Sequence, residues 1–441
     1  MKHLLSLFLR LLSLAAISTP VHAQPLKTRL NQQADAVESK VIAWRRDIHE
    51  HPELGNREFR TAGKVATHLR SLGIEVQTNV AHTGVVGLLK GGKPGPVVAL
   101  RADMDALPIT ERTDVPFKSR ATTEYNGQTT GVMHACGHDA HVAILMGVAE
   151  VLAANKKDLK GTVKFIFQPA EEGAPPGEEG GAKLMVQEGV LDNPKVDAIF
   201  GLHMAARSEV GSIGYRSGAL QSAADIYAIK IKGKGSHGAY PWLGVDPVVT
   251  AAQVLMGLQT IVSRNINLTD APAVVTVGAI QGGNRVNIIP EEATLIGSIR
   301  TFSQEAQQLV HRRIQEISTH IAESAGAKAE VNIENLCPAT YNNPALTDQM
   351  LPTLEAVAGK ENVKLIPLRT GSEDFSFYQQ QVPGLFLFLG GMPKARKPEE
   401  VAAHHTADFY LDESGFLLGV KALCHLTVDY LEQWRGAAAG R

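Results

Sequence analysis

The sequence predicts an α/β protein in which a larger domain, built on a mostly parallel sheet flanked by helices, is interrupted by a smaller α+β unit. Two observations predict the larger domain: short apolar runs rich in β-branched or aromatic residues, and helical stretches that separate these runs. A third observation, alternating apolar and polar residues in the middle of the chain, predicts the smaller unit. The 441 residues, 44% apolar and 20% charged, have the composition of a globular protein with about two to three domains.

The first 23 residues have the features of a secretory signal peptide. These are a polar start, an apolar run and a cleavage site with small residues, at Lys2-His3, 4–17 and Val21-His22-Ala23. A membrane anchor is the alternative, but the run is short for a bilayer and Arg10 interrupts it. We expect cleavage near Ala23, a periplasmic or secreted protein, and no membrane span in the mature form.

The rest of the larger domain follows from apolar periodicity. Residues 24–70 show helical spacing with a break at 51–55, and another helix is predicted within 141–154. Four buried strands are predicted at 97–100, 163–167, 196–200 and 385–389.

The middle of the chain has a different pattern. Alternation predicts strands at 224–232, 274–280 and 293–299, with helices at 248–261 and 306–322. We therefore divide the chain into a signal peptide, the first part of the larger domain, the smaller unit, and the second part of the larger domain, at 1–23, 24–214, 215–332 and 333–441.

Polar side chains follow three of the predicted strands. Asp103 comes after the first, Glu171 and Glu172 after the second, and His203 after the third. Ligands of open α/β sheets bind outside the carboxyl ends of the strands. We therefore expect these side chains to share one site.

Metal binding is the chemistry that these residues favour. Cys136 and His138 lie in a segment, 133–141, that brings thiol, imidazole and carboxylate groups together, which suits Zn, or Mn, Co or Ni. Of the pair Glu171 and Glu172, one could bind a metal while the other takes a proton from water. For the segment 133–141 the alternative is a helix start with a buried cysteine, and for Glu171 and Glu172 it is a solvated loop. His203 could have a structural role, and spacing alone does not decide between His404 and His405.

Nucleotides and nucleic acids are not predicted partners. A formal charge of −2 gives no electrostatic argument for nucleic acid or an acidic membrane. The glycine-rich turn at 233–238 lacks the features of a phosphate-binding loop. Its His237 either reaches a substrate from the second domain or lies on a surface turn.

Taken together, the motifs resemble the metal-dependent amidohydrolase and carboxypeptidase superfamily, and most closely its branch of hippurate hydrolases, N-acyl-amino-acid amidohydrolases and auxin-conjugate hydrolases. The resemblance extends from about His49 to Asp412. The motifs that carry it are DIHEHPEL at 47–54, RADMDALP at 101–108, MHACGHDAH at 133–141, QPAEEG at 168–173, GLH at 201–203, GSH at 235–237, NIIP at 287–290 and GSEDF at 371–375.

The resemblance implies a site with two divalent metal ions on the larger domain, which is then the catalytic domain at 24–214 and 333–441. It also implies that the smaller unit at 215–332 is a lid and dimerisation domain that forms a homodimer or higher oligomer. The ligands that it implies are Cys136, His138, Glu172, His203 and, because Phe409 follows four residues later, His405 rather than His404. Further roles follow residue by residue: Glu171 as general acid and base, Asp103 as the carboxylate that orients a metal-binding histidine, His237 as support for the tetrahedral intermediate, and Asn287 and Arg300 as contacts to the substrate carboxylate.

The implied reaction is hydrolysis of an N-acyl amino acid by an activated water, with a small-molecule substrate and Glu171 moving the proton. Three alternatives stay open: a carboxypeptidase or dipeptidase with the same metals, a binding protein without catalysis, and a hydrolase that uses Cys136 as nucleophile. His404 and the long turn at 173–181 depart from the family pattern near the site. Cys337 and Cys424 could form a disulfide in an oxidising compartment.

Overall fold

The computed structural model describes residues 24–434. Its α-helices are α1 (Leu26–Glu50), α2 (Phe59–Ser71), α3 (His138–Ala154), α4 (Gly181–Gln187), α5 (Pro247–Thr260), α6 (Gln304–Ser324), α7 (Pro344–Ala358), α8 (Ser376–Gln379) and α9 (Phe416–Gln433). Its strands are β1 (Glu75–Val80), β2 (Gly84–Lys90), β3 (Lys93–Asp103), β4 (Thr122–Tyr125), β5 (Gln128–Gly131), β6 (Lys160–Gln168), β7 (Ala198–Glu209), β8 (Ile213–Tyr215), β9 (Gly218–Gln221), β10 (Ala223–Lys232), β11 (Ser236–His237), β12 (Ala273–Gly282), β13 (Ile288–Ile289), β14 (Glu292–Thr301), β15 (Lys328–Cys337), β16 (Thr340–Asn342), β17 (Val363–Leu365) and β18 (Gly384–Met392).

The four strands predicted for the larger domain lie side by side. The eight-stranded sheet has the order β1-β2-β6-β3-β7-β18-β8-β17, and its central strands β6, β3, β7 and β18 run parallel to one another. Antiparallel strands β1 and β2 extend one edge. The predicted fold class, an α/β protein with a mostly parallel sheet and a separate smaller unit, is confirmed.

Both faces of this sheet are covered because its central strands are apolar at consecutive positions. Val98 and Leu100 of β3 point into a core that includes buried residues of α1, α3 and α9, whereas Ala99 between them belongs to the core on the opposite face. Neighbouring residues of a strand face opposite sides of the sheet, so a continuous apolar run is buried on both. The polar residues at the ends of these strands are thereby held on a rigid support.

The smaller unit is an antiparallel sheet of order β12-β14-β10-β15, on which α5 and α6 pack. Its strands extend from Ala223 to Cys337, whereas the sequence predicts this unit at 215–332, so the last strand continues past the predicted end. One face of the sheet buries Ile229 and Leu295 in a core that also contains Val310 of α6. The other face carries exposed apolar side chains, at Ile226, Val274 and Ile296.

Some elements differ from the prediction or were absent from it. The strand pairs β1–β2 and β4–β5, and strand β15 of the smaller unit, were not predicted, and α3 begins at His138 rather than at 141. Strands β4 and β5 are polar, so apolar periodicity could not identify them. Strand β2 is apolar and mostly buried, and β15 alternates Ala329, Val331 and Ile333 with polar residues, so these two patterns were present in the sequence but were not recognised as strands. The cysteines do not pair in the described residues: Cys337 and Cys424 are free, buried thiols.

The predicted signal peptide, residues 1–23, lies outside the described residues. Among residues 24–434, none of the helices combines the length and the apolar character that crossing a bilayer requires.

The buried face of β6 provides a stability test. Phe165→Ala should lower the free energy of unfolding by about 3–5 kcal/mol, because the ring is fully buried and its loss leaves a cavity. Urea denaturation followed by circular dichroism measures this. The matched control is Phe59→Ala, at a ring that is 64% exposed, where a change below about 0.5 kcal/mol is expected. Equal effects at both positions would contradict the packing described.

Candidate metal centre

Three neighbouring strands of the larger sheet bring carboxylate and imidazole groups to one edge. Asp103 is the last residue of β3, and Glu171 and Glu172 follow the end of β6. His203 lies inside β7, which is longer than predicted, and pairs with Phe388 of β18. Because β6, β3 and β7 are parallel neighbours, these side chains meet at the same end of the sheet.

Cys136 and His138 reach the same place through a glycine turn. Gly137, between them, has a φ of 107°, in the left-handed region that favours glycine. A Cβ at this position would lie 3.2 Å from side-chain atoms of Leu411 and Met204. The turn starts α3 at His138 and directs both side chains toward the strand ends.

His405 completes the cluster from a loop that follows β18. Its Nε2 lies 3.3 Å from Sγ of Cys136 and 3.0 Å from Oε1 of Glu172. Its φ of 61° is unusual for a residue other than glycine, and such strain is concentrated at functional sites. The backbone N–H of His405 donates to the carbonyl oxygen of Ala135 at 2.8 Å, which fixes this loop to the Cys136 turn.

His404 has a structural role instead. Its Nδ1–H donates to the carbonyl oxygen of Cys136 at 3.1 Å, and its Nε2 accepts from the N–H of Ala206 at 3.2 Å. Both ring nitrogens are therefore occupied by the backbone. The structure thus distinguishes two histidines that spacing alone left equivalent.

Hydrogen bonds to the backbone orient the histidines of the cluster. His138 donates from Nδ1 to the carbonyl oxygen of Asp105 at 2.9 Å, and His203 donates from Nδ1 to that of Met204 at 2.7 Å. Each imidazole therefore presents the Nε2 lone pair to the cluster, as metal-binding histidines do. His203 Nε2 lies 3.3 Å from Cys136 Sγ.

The carboxylate beside His138 is Asp105, which differs from the expectation for Asp103. Asp105 Oδ1 lies 3.2 Å from His138 Nδ1, and its Oδ2 accepts from the backbone N–H of Glu172 at 2.9 Å. Asp103 accepts instead from Nδ1 of His141 at 2.6 Å. His141 cannot bind a metal in this arrangement, since its Nε2 accepts from the N–H of Met204. The physical reason is position: Asp105 lies past the end of β3, where the chain turns toward α3.

Negative charge is concentrated behind the cluster. Burial raises the pKa of Glu171 well above its usual range, and the carboxylates of Glu373 and Glu172 raise it further. Burial also raises the pKa of Glu373 to about 8 and that of Asp374 to about 6, although the guanidinium of Arg101 lowers both. Added positive charge at this place would be stabilising.

The donor set fits two divalent cations. Ligands bonded to one zinc ion at about 2.0–2.3 Å lie less than roughly 4.6 Å apart. In the structure, ligand atoms lie within 4.8 Å of one another in three overlapping groups: Cys136 with His138 and His203, Cys136 with Glu172 and His405, and His138 with Glu171 and Glu172. Nε2 of His138 is buried and has no hydrogen-bond partner in the described structure. The five predicted ligands are thus brought together around a shared thiol.

The cluster opens into a cavity of about 1100 Å³ between the two units. Arg300, from β14 of the smaller unit, lines this cavity together with Glu171, Glu172 and His405. His237 and Asn287 do not: both line a second cleft of about 1000 Å³ on the smaller unit. His237 and Asn287 are therefore the two predicted site residues that lie away from the cluster within one chain.

A buried network behind the cluster was missed by the sequence analysis. His49 of α1 hydrogen-bonds to Asp139 at 2.7 Å and to Glu111 at 3.2 Å, and Arg45 donates to Asp139 at 2.8 Å. These contacts fix the first turn of α3, next to His138. The sequence motif at 47–54 contains His49 and could have indicated this network, but the sequence analysis assigns no role to that motif.

Comparison with known proteins identifies similar chains. A family model described as peptidase family M20/M25/M40 matches residues 99–429. N-acetylcysteine deacetylase of Bacillus subtilis is 39% identical over 400 residues, which cover 90% of this chain and 98% of the relative. Thermostable carboxypeptidase 2 of Saccharolobus solfataricus is 37% identical over 407 residues, or 92% and 99% of the two chains.

A solved structure is also similar. The Bacillus subtilis YXEP protein, described as a dinuclear metal binding peptidase from the M20 family, aligns with a TM-score of 0.76 at 35% identity. The alignment covers 91% of this chain and 100% of that chain.

The position of Asp105 gives a test of the cluster. Asp105→Asn should weaken metal binding about 10- to 100-fold, because it removes the charge beside Nδ1 of His138. Competition titration with a chromophoric chelator measures this affinity. Asp35→Asn, which alters an exposed ion pair with Lys421, should leave it unchanged. Unchanged metal affinity in Asp105→Asn would show that this carboxylate does not orient a ligand.

Proposed function

This chain belongs to peptidase family M20/M25/M40, and from that premise we propose that it cleaves the amide bond of N-acyl amino acids or similar conjugates. It is a metal-dependent amidohydrolase, and the resemblance inferred from its motifs is confirmed. The observation that carries the proposed hydrolysis is a carboxylate, Glu171, beside the ligand cluster and in the wall of the cavity.

Cys136, His138, Glu172, His203 and His405 are the residues proposed to hold two divalent ions. Zinc, manganese, cobalt and nickel all suit this mixture of thiolate, imidazole and carboxylate. When bound, such ions polarise a carbonyl group and lower the pKa of water.

Glu171 is proposed to move the proton. Its side chain is only 11% exposed, and its Oε2 lies 3.9 Å from Nε2 of His138, so it faces both the cluster and the cavity. The carboxylate accepts a proton from water as the oxygen attacks the amide carbonyl carbon. It then donates this proton to the nitrogen of the leaving amine, which restores the carboxylate.

His237 is proposed to stabilise the oxyanion. Its Nδ1 accepts from the N–H of Ala239 at 3.0 Å, which leaves Nε2–H as a donor. Because His237 and Asn287 line a separate cleft, they would reach the substrate through closure of the lid or from a second copy of the chain.

A homodimer or higher oligomer formed through the lid is part of this proposal. Large apolar side chains of the smaller unit support it: Trp242 and Met256 are 73% and 67% exposed. We also propose export, with cleavage near Ala23 and a periplasmic or secreted mature protein, on the features of residues 1–23.

Peptide cleavage is the second candidate, favoured by the similarity to a carboxypeptidase. Both reactions use the same groups. Parallel assays of benzoyl-glycine and of unblocked dipeptides separate them, and the amidohydrolase proposal expects the larger kcat/KM for benzoyl-glycine. A larger value for the dipeptides would favour the peptidase.

Replacement of Glu171 tests the proton transfer. Glu171→Gln should retain bound metal but lower kcat by about 10²- to 10⁴-fold, since the amide cannot accept the proton. Metal analysis and steady-state kinetics provide the two measurements. Glu178→Gln, in the following loop and paired with Arg57, is the matched control and should keep wild-type kcat. A kcat near wild type in Glu171→Gln would refute the role.

Chelation distinguishes the metal mechanism from nucleophilic attack by Cys136. Dialysis against a chelator should abolish turnover, and one of the four metals should restore it, because the cluster has no other source of Lewis acidity. Retention of full activity in metal-free protein, with loss on thiol alkylation, would instead support a cysteine nucleophile.

A further inference from the structure

Arg369 lies in the wall of the cavity that contains the ligand cluster, on the side of the larger unit. Its guanidinium carbon is 4.0 Å from the centroid of the Phe388 ring, so the cation is stacked on an aromatic face. Burial lowers the pKa of this guanidinium, and no neighbouring carboxylate raises it. Within residues 24–434, the side chain is a partly buried cation without an anionic partner.

The buried guanidinium of Arg101, in contrast to that of Arg369, is paired with carboxylates. The guanidinium of Arg101 forms ion pairs with Asp103, Glu373 and Asp374, at 2.6, 3.0 and 2.8 Å. A buried charge is costly unless it is paired. The free donors of Arg369 are therefore suited to an anion that enters the cavity from solvent.

The geometry favours a carboxylate. A guanidinium presents N–H donors in a planar fork that matches the two oxygens of a carboxylate. Phe388 holds this plane and also contacts the ring of His203, 5.9 Å between centroids, so Arg369 is one residue removed from the ligand cluster. A carboxylate on Arg369 would place the rest of a small substrate beside the metal site.

We propose that Arg369 binds a carboxylate of the N-acyl amino acid and thereby determines specificity. The proposal rests on the function proposed above. The carboxylate comes either from the α position of the amino acid or from the acyl group. Arg300, on the smaller unit, lines the same cavity. The two arginines together could therefore bind a substrate that carries both an α-carboxylate and a carboxylate on its acyl group.

Binding measurements test this without turnover. In the metal-loaded Glu171→Gln protein, calorimetry compares benzoyl-glycine with its carboxamide, and succinyl-glycinamide with its uncharged acyl analogue. Adding Arg369→Met should weaken binding of the acid about 10- to 100-fold and leave the uncharged partner unchanged. Loss confined to benzoyl-glycine identifies the α-carboxylate, and loss confined to succinyl-glycinamide identifies the acyl carboxylate.

Controls separate recognition from folding. Arg70→Met removes an exposed arginine of α2. It should leave the ratio of acid affinity to uncharged-analogue affinity unchanged in both compound pairs. Arg369→Lys keeps the charge without the fork and should recover part of the affinity. In the otherwise wild-type enzyme, Arg369→Met should raise KM for the same acid by a larger factor than it lowers kcat.

The outcome that overturns the proposal is an acid-to-amide affinity ratio that Arg369→Met leaves unchanged in both pairs, whether or not the melting temperature has moved. If the wild-type protein hydrolyses none of these compounds but binds the acids through Arg369, the proposed hydrolysis fails and the role of Arg369 stands.

Discussion

The guanidinium of Arg101 is the constraint on which the active-site edge of the sheet depends. It is fully buried, and it binds Gln168 as well as Asp103, Glu373 and Asp374, which come from three separate parts of the chain. Without this cation, Asp103, Glu373 and Asp374 would lie together in the interior with no opposite charge beside them, which disfavours their ionised forms. The contacts of Arg101 therefore join β3, β6 and the segment before α8 at the edge of the sheet where Glu171 lies.

Rigid elements position the ligand atoms, and hydrogen bonds determine their direction. Asp105 connects His138 to the backbone of Glu172, and the loop of His405 is fixed to the turn that carries Cys136. In His138 and His203, the ring nitrogen that does not face the cluster donates to a backbone carbonyl oxygen. Such preorganisation means that little conformational freedom has to be lost when a cation binds.

Sequence was sufficient for features that depend on local pattern. The central strands and the longer helices of the first half of the chain followed from apolar periodicity. Strand ends indicated Glu172 and His203, and the segment 133–141 indicated Cys136 and His138, whereas the choice of His405 came from the family resemblance. What could not be predicted depends on long-range geometry: that both ring nitrogens of His404 are hydrogen-bonded to the backbone, and that Nδ1 of His138 contacts Asp105 rather than Asp103. The same holds for Arg369, which has no anionic partner in the part of the chain that the structure describes. Strand β15 was missed although Ala329, Val331 and Ile333 alternate with polar residues, because the predicted end of the smaller unit at 332 falls inside this strand.

Insertion of the smaller unit into the larger one has a consequence for biosynthesis. Four of the five proposed ligands precede the insertion in the chain, whereas His405 and strand β18 follow it. A ribosome therefore has to complete the second unit before the last imidazole can join the other four. Nascent or prematurely terminated chains hold an incomplete donor set, so maturation of the centre is coupled to synthesis of the full polypeptide.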